Sequence, residues 1–317
     1  MRPPALNRIH EARRAIKGAA IRTPLLPLNV LEAPAGIFLK LENLQSIGAF
    51  KVRAAAFAIA CIPPGELNRG VLTASAGNMG KAVAWEARRL GIPCSVVVPD
   101  TAPAAKLDAI RHLGARIVPV SFDQWWTTLG DRRYEGIDAT FIHPFDDENV
   151  IAADATIGLE IVEDMPDVDV ILVPWGGGGL SIGIATAVKA VKPSCRVFAV
   201  EVEGAAPLAP SLAAGKPVTI DYRPSFVDGI GSKTVFRDML DLAVELLAGS
   251  LIATVEDTAA CVRLLAQRNH VVTEGAGAAP VAVALSGVGV GSHIACVVSG
   301  GNIDPHKLAA IIEGRLP

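Results

Sequence analysis

An α/β architecture with mostly parallel sheets is the fold class that this 317-residue sequence predicts. Short β-branched runs alternate along the chain with longer Ala-rich segments of helical period. Several of the short runs are apolar at nearly every position, the pattern of a strand covered on both faces. No internal repeat or low-complexity tract interrupts the alternation.

In chain order, residues 37–41 (IFLKL) read as a strand and 51–60 (KVRAAAFAIA) as a helix. Residues 70–74 (GVLTA) form the next strand, and 80–90 the helix after a Ser-Ala-Gly-Asn turn. Strands 94–99 and 116–120 flank a helix at 104–113. Residues 121–137 carry Trp125, Trp126 and several charges without a clear period, and are expected to be a variable helix-loop region near a domain boundary. Helices at 149–164, 180–191, 258–269 and 278–285 then alternate with strands at 168–174, 196–201 and 293–298.

Composition excludes several classes of protein. The chain is 51% hydrophobic, 19% charged and has a mean hydropathy of +0.41, so a membrane reading has to be tested. Its longest run without Asp, Glu, Lys or Arg, 275–303, would reach across a bilayer. Glycines, Pro280, Ser286, Ser292 and Ser299 interrupt that run, and alternating Gly287, Gly289 and Gly291 read as a turn between two shorter elements. Pro174 and four glycines likewise break the run 170–188, so no spanning helix is expected. Lys and Arg (29) nearly balance Asp and Glu (32), with no basic stripe, which excludes an electrostatic nucleic-acid binder. Five cysteines, never spaced C-x-x-C, argue against a disulfide framework or a zinc site and for a reducing compartment. No signal-peptide pattern opens the chain, so a cytoplasmic location is expected.

The strongest local signal is VDVILVPWGGGGLSIGIATAVKA. An apolar strand leads into Gly176, Gly177, Gly178 and Gly179 and then an Ala-rich helix, so consecutive backbone N–H groups can face one concavity at a helix N-terminus. A phosphate is the natural occupant; a ligand-free turn would need only one or two glycines. The dinucleotide pattern G-x-G-x-x-G fails at Ser181, although Glu201 stands where a ribose-binding acid would, so a dehydrogenase is disfavoured without being eliminated. GIGSKT lacks P-loop spacing, since Ser232 precedes Lys233.

Three further segments carry weaker signals. Lys51 follows Phe50 in an apolar stretch at an expected helix start, where desolvation would lower its pKa and suit Schiff-base chemistry; the alternative is a snorkelling surface lysine. In TASAGNMGKAVAWEA, the turn of Ser75, Gly77 and Asn78 can offer N–H groups to a carboxylate or simply cap the helix. CVVSGGNID ends a strand in Ser299, Gly300, Gly301 and Asn302.

In this order, GAFKVRAA, TASAGN, FIHPFDDENVIA, VPWGGGGL and VVSGGNID resemble the pyridoxal-phosphate enzymes of the threonine/serine dehydratase and serine racemase group. The likeness runs from Arg22-Thr23-Pro24-Leu25 to Asp304. It implies the two-domain, fold type II (tryptophan synthase beta-like) architecture: a larger cofactor-binding domain of 1–67 and 139–317, and a smaller inserted α/β domain of 68–138. Pyridoxal 5'-phosphate would lie between them. Lys51 would bond the cofactor and afterwards act as the base at Cα. Phe50 would pack on the ring, Asn78 would hydrogen-bond the ring hydroxyl, and Gly176, Gly177, Gly178 and Gly179 would cradle the phosphate. Gly229 and Glu274 would lie near the ring, and Ser299 would face the pyridine nitrogen. Ser75, Ala76, Gly77, Asn78 and Met79 would bind the substrate carboxylate. The implied reaction is α,β-elimination on a β-hydroxy-α-amino acid, by default L-threonine or L-serine, to a 2-oxo acid and ammonia. A hydroxyl rather than a carboxylate at the ring nitrogen favours prompt loss of a β-substituent. The resemblance also implies a homodimer.

Departures from the group's pattern sharpen this. Ala49, Ala54, Met79 and Ala153-Asp154-Ala155 replace its frequent Ser, Gly, His and Gly-Gln-Gly. Ala76 stands where the group's racemases carry a second base, which favours a dehydratase over a racemase. Met79, Trp125, Trp126 and Asp154 leave room for a bulkier or acidic substrate such as phenylserine or hydroxyaspartate. Glu201 is a possible metal ligand, but Pro207 occupies the second acid's place, and a solvated strand-end role is the alternative. His143 and Asp146 fall near the substrate side of the expected fold, where a histidine beside proline more often caps a turn than catalyses. From another class, a catalytically silent relative would bind cofactor or amino acid for regulation; Lys51, Asn78 and Ser299 argue against it. Little chain follows Asp304, so a regulatory domain and feedback inhibition by isoleucine are not expected.

Overall fold

The structure is a computed structural model that describes residues 1–287 and 291–317. Gly289, expected in the turn of the uncharged run, lies outside the described residues. Helix α1 (Leu6–Ala15) precedes β1 (Leu25–Pro27), β2 (Gly36–Leu41) and α2 (Lys51–Ala60). After the single turn α3 (Pro64–Leu67) come β3 (Val71–Ala74), α4 (Asn78–Leu90), β4 (Cys94–Pro99), α5 (Ala104–His112) and β5 (Arg116–Val120). Next are α6 (Phe122–Asp131), β6 (Thr140–Phe141), α7 (Glu148–Asp164), β7 (Val170–Pro174), α8 (Gly179–Val191) and β8 (Arg196–Val202). The chain closes with α9 (Leu208–Ala214), α10 (Arg237–Leu246), β9 (Gly249–Ala253), α11 (Val255–Leu264), α12 (Gly275–Leu285), β10 (His293–Val298) and α13 (Pro305–Ile312).

Among the described residues the strands make two sheets. The larger has the order β1-β2-β10-β7-β8-β9 and is parallel except for the antiparallel edge pair β1–β2. The smaller, β5-β4-β3-β6, is parallel throughout. A parallel strand with helices on both faces has no solvated side, which is why β3 (VLTA) and β7 (VILVP) are buried at every position. The same constraint accounts for the high hydropathy. No helix among the described residues is long and apolar enough to cross a membrane.

The elements expected from the sequence all occur, with ends shifted by a few residues. Strand β3 starts at Val71 because Gly70 takes a left-handed φ of +81° against Pro93. The segment 121–137 is more regular than expected: Ser121 and Gln124 form a capping box that starts α6. Helix α11 continues into a π-helical turn, Leu265–Asn269. Elements the periodicity did not reveal include α1, β1, α9, α10, β9 and α13.

Small residues let α7 and α8 cross closely behind the larger sheet. A Cβ at Gly158 would stand 2.8 Å from the Ile184 carbonyl oxygen, and one at Gly183 would stand 2.6 Å from that of Ile151. Backbone cannot withdraw as a flexible side chain can, so even one added methyl forces the helices apart. Gly183→Ala should therefore destabilise the protein by about 1–3 kcal/mol, read as a lowered denaturation midpoint. An unchanged midpoint would show that the crossing adapts freely.

Candidate active site

The carboxyl ends of β3, β7 and β10 and the N-termini of α2, α4 and α8 open onto one cavity of about 540 Å³. Crevices at the carboxyl ends of parallel strands are where α/β proteins bind ligands, and this volume suits a small one. Phe50 and Lys51, the turn Ser75-Ala76-Gly77-Asn78-Met79, the run Gly176-Gly177-Gly178-Gly179, and Gly229, Glu274 and Ser299 all line it. Three helix N-termini together make the cavity favourable to anions.

Lys51 is the first residue of α2. Its Nζ donates to the Pro144 carbonyl at 2.5 Å and lies 4.7 Å from the centre of the Phe50 ring. Burial disfavours the ammonium and holds the lysine below its ordinary pKa, against a smaller opposing pull from Asp154. The positive end of α2 acts in the same direction as burial. The Pro144 carbonyl is fixed by its neighbour: His143 Nδ1 accepts the N–H groups of Phe145 and Asp146, at 3.3 and 2.8 Å. Burial, with Arg132 and Lys51 nearby, pushes His143 down to about 3, so the ring stays neutral and keeps accepting. Asp146 pairs with Arg132 at 3.0 Å. The histidine thus caps a turn.

The glycine run is shaped by aromatic neighbours. Gly178 has a φ of +97°, and a Cβ there would fall 2.5 Å from the Trp175 ring; at Gly177 it would fall 2.2 Å from the Phe145 ring. Only glycine fits either place. The run ends at the start of α8, whose first N–H groups have no intrahelical partner. A phosphate group fits this cradle, and the Lys51 amine fits an aldehyde.

A chain of amides closes the other wall. Asn78 Nδ2 donates to Glu274 at 2.9 Å, Asn302 Nδ2 donates to Asn78 Oδ1 at 2.8 Å, and Lys81 Nζ donates to Asn302 Oδ1 at 2.8 Å. Ser299 is buried at the end of β10, its carbonyl accepting the Phe50 N–H at 3.0 Å. The parts played by Lys81, Asn302 and Pro144 were not foreseen from the sequence. Lys81 and Asn302 sit inside the TASAGNMGK and SGGNID segments, whereas a proline carbonyl gives no sequence signal.

Three expectations need correction. Glu201 is fully buried: its oxygens accept the N–H groups of Leu208 and Ala209 and the Ser250 hydroxyl, so it anchors the start of α9 and is not a solvated residue. Both oxygens thus accept hydrogen bonds within the chain, and among the described residues no cluster of three or more His, Cys, Asp or Glu that could hold a metal occurs. Asp154 and Trp126 do not widen the cavity. Asp154 is buried in α7 off the cavity wall, without a hydrogen bond to either oxygen among the described residues, and burial drives its pKa up. Trp126 packs 5.3 Å from the Phe236 ring, while Trp125 and Met79 do line the cavity.

The sequence model of one family, described as pyridoxal-phosphate dependent enzyme, matches residues 16–300. The chain belongs to this family. It is 39% identical to an L-threonine ammonia-lyase of Thermotoga maritima over 98% of this chain and 79% of that one. Among solved structures, maize serine racemase superposes with a TM-score of 0.91 at 30% identity, covering 99% of this chain and 98% of that one. The processed form of threonine deaminase isoform 2 from Solanum lycopersicum superposes with a TM-score of 0.86 at 29% identity, covering 98% and 94%. The family's cofactor, pyridoxal phosphate, agrees with what the cavity offers: an anion cradle, a desolvated amine, and Phe50 and Asn78 on its lining.

Glu274 permits a direct check of that wall. Burial pushes its pKa up from 4.5 to about 7. A carboxyl raised on folding contributes stability below its unfolded pKa and loses it as pH rises through the folded value. The stability difference between Glu274→Gln and wild type should therefore shift in favour of the variant as pH rises from the ordinary carboxyl pKa of about 4.5 past the folded value of about 7, in thermal melts of the holoenzyme. A difference independent of pH would contradict the assigned environment.

Proposed function

We propose that this protein is a pyridoxal-phosphate-dependent ammonia-lyase acting on a β-hydroxy-α-amino acid, with L-threonine or L-serine as default substrate and a 2-oxo acid and ammonia as products. The observation that carries this is the Lys51 amine, held with a lowered pKa at the start of α2 in a cavity lined at once by a glycine cradle and by the Ser75–Met79 turn. The cofactor, when bound, supplies the electron sink that acidifies the substrate Cα proton.

The remaining work falls to the chain itself. With pyridoxal phosphate bound, Gly176 to Gly179 and the start of α8 would hold the phosphate, Phe50, Asn78 and Glu274 would hold the ring, and Ser299 would offer a hydroxyl to its nitrogen. The Ser75–Met79 turn and the first N–H groups of α4 take the substrate carboxylate, which orients the Cα–H bond. The Lys51 amine, unprotonated more readily than an ordinary lysine, removes the Cα proton. Hydroxide leaves Cβ and, with the proton taken from Cα, makes one water; hydrolysis of the resulting enamine takes up one water and releases ammonia. Ala76, a methyl group on the cavity wall, cannot exchange a proton, so elimination is favoured over racemisation.

The same reading divides the chain into a larger unit, 1–67 with 139–317, and an inserted unit, 68–138, built around most of the smaller sheet. It also makes the protein a cytoplasmic homodimer. Lys51→Ala should abolish the visible absorbance of covalently held cofactor and lower ammonia release from β-hydroxy amino acids by at least about 10²-fold. Retention of both would sink the assignment. Substantial D-serine from L-serine, by chiral chromatography, would instead favour a racemase.

A further inference from the structure

Four lysines line the cavity, and one of them, Lys81, has neither a place in the elimination chemistry nor an acid partner. It follows Asn78 by one turn of α4 and is half-buried. Its Nζ donates to the Asn302 amide oxygen at 2.8 Å, and among the described residues no carboxylate lies within ion-pair distance of it. Removal from water works against the ammonium, and the neighbouring Glu274 only partly offsets this. A desolvated cation whose partner is a neutral amide gains most from an anion brought in by a ligand.

The direction in which that anion would sit follows from the wall that Lys81 faces. Asn302 begins the stretch Asn302-Ile303-Asp304-Pro305, which leads into α13 and lines the cavity with Lys307. Lys307 and Lys106 share one carboxylate, Asp228, at 3.4 and 3.0 Å. Asp304 spends its Oδ1 on the N–H groups of His306 and Lys307 at the start of α13. Lys81, Lys106 and Lys307 thus line one cavity with Asp228, which two of them share, and Asp304, whose Oδ1 is engaged. The substrate's α-carboxylate already has the Ser75–Met79 turn and the start of α4. Resting on the dehydratase reading above, we propose that Lys81 is a specificity residue that binds a second, distal carboxylate, so that the preferred substrate is a β-hydroxy-α-amino dicarboxylic acid, of which 3-hydroxyaspartate is the smallest. Breaking its Cα–H and Cβ–O bonds releases one water. Hydrolysis of the enamine takes up one water and breaks the C–N bond. The net products are oxaloacetate and ammonia, with no other reactant needed.

The test compares the holoenzyme with Lys81→Gln and Lys81→Met, using the threo and erythro isomers of 3-hydroxyaspartate, L-threonine and L-serine in one ammonia-release assay. Wild type should favour a 3-hydroxyaspartate isomer in kcat/KM by about tenfold or more over L-threonine, the scale set by one charge-assisted hydrogen bond. Both variants should reduce that ratio by roughly 10- to 100-fold, mainly through KM for the dicarboxylate. Calorimetric binding of L-malate, which cannot react, should weaken by a similar factor in the variants while that of L-lactate does not. An unchanged ratio would overturn the proposal. So would a parallel loss on all substrates, which would make Lys81 a strut for Asn302 or a partner of the α-carboxylate. Turnover of L-threonine without 3-hydroxyaspartate would overturn it too and leave the dehydratase assignment standing. If no β-hydroxy amino acid released ammonia, the dehydratase assignment would fail, and the malate-against-lactate comparison would still decide the role of Lys81.

Discussion

Arg53, two residues along α2 from Lys51, is 1% exposed and lies between two buried acids. Its guanidinium reaches Glu42 through Nε and Nη2 at 2.9 and 2.8 Å, and Glu160 through Nη1 and Nη2 at 2.7 and 2.9 Å. Lys40 adds a 2.7 Å ion pair to Glu160, and the Thr23 hydroxyl donates to Glu42 at 2.6 Å. Burying such charges costs several kcal/mol per ion unless their hydrogen bonds are met, so the cluster tolerates one arrangement only. That arrangement fixes α2 between the short turn Glu42–Leu44 and helix α7. Lys51 inherits its position from Arg53. An amine on a loosely held helix would find water and keep its ordinary pKa.

What the cavity does chemically follows from where helices begin. α2 brings an amine, α4 a carboxylate-sized turn and α8 a phosphate-sized cradle, each at the positive end of a helix dipole. The parallel sheets make this convergence possible, because every strand–helix connection at their carboxyl ends leads into a helix N-terminus. One electrostatic device therefore favours anions at two places and lowers the pKa of a lysine. The cost appears in groups kept out of water without full pairing: Asp154 without a hydrogen bond among the described residues, Glu274 pushed up to about 7, and Lys81 on an amide.

Much of this was legible in the sequence, because the constraints that write it are local. A strand covered on both faces must be apolar throughout, and a cradle pressed against Trp175 and Phe145 must be glycine; both leave marks in a short window. Fold and cofactor were legible in the sequence for that reason. The elements that escaped notice had weaker local marks: β9 is an edge strand with only Ala253 buried, although Asp304-Pro305 was a readable start for α13. Contacts between distant segments left none. Nothing near Glu201 announces that Ser250 and the start of α9 use up its oxygens, and nothing near Lys51 announces the carbonyl of Pro144. The places of Asp154 and Trp126 are illegible for the same reason, since only the packing decides whether a side chain on a helix meets the cavity or the helix behind it.

Four lysines, Lys51, Lys81, Lys106 and Lys307, line the cavity, and the proposed function requires that Lys51 alone carry the cofactor. Borohydride reduction of the holoenzyme followed by peptide mass spectrometry tests it directly. A single pyridoxyl group should appear, on the peptide containing Lys51 and on that residue. A label on Lys81 or another lysine, or no covalent label at all, would contradict it.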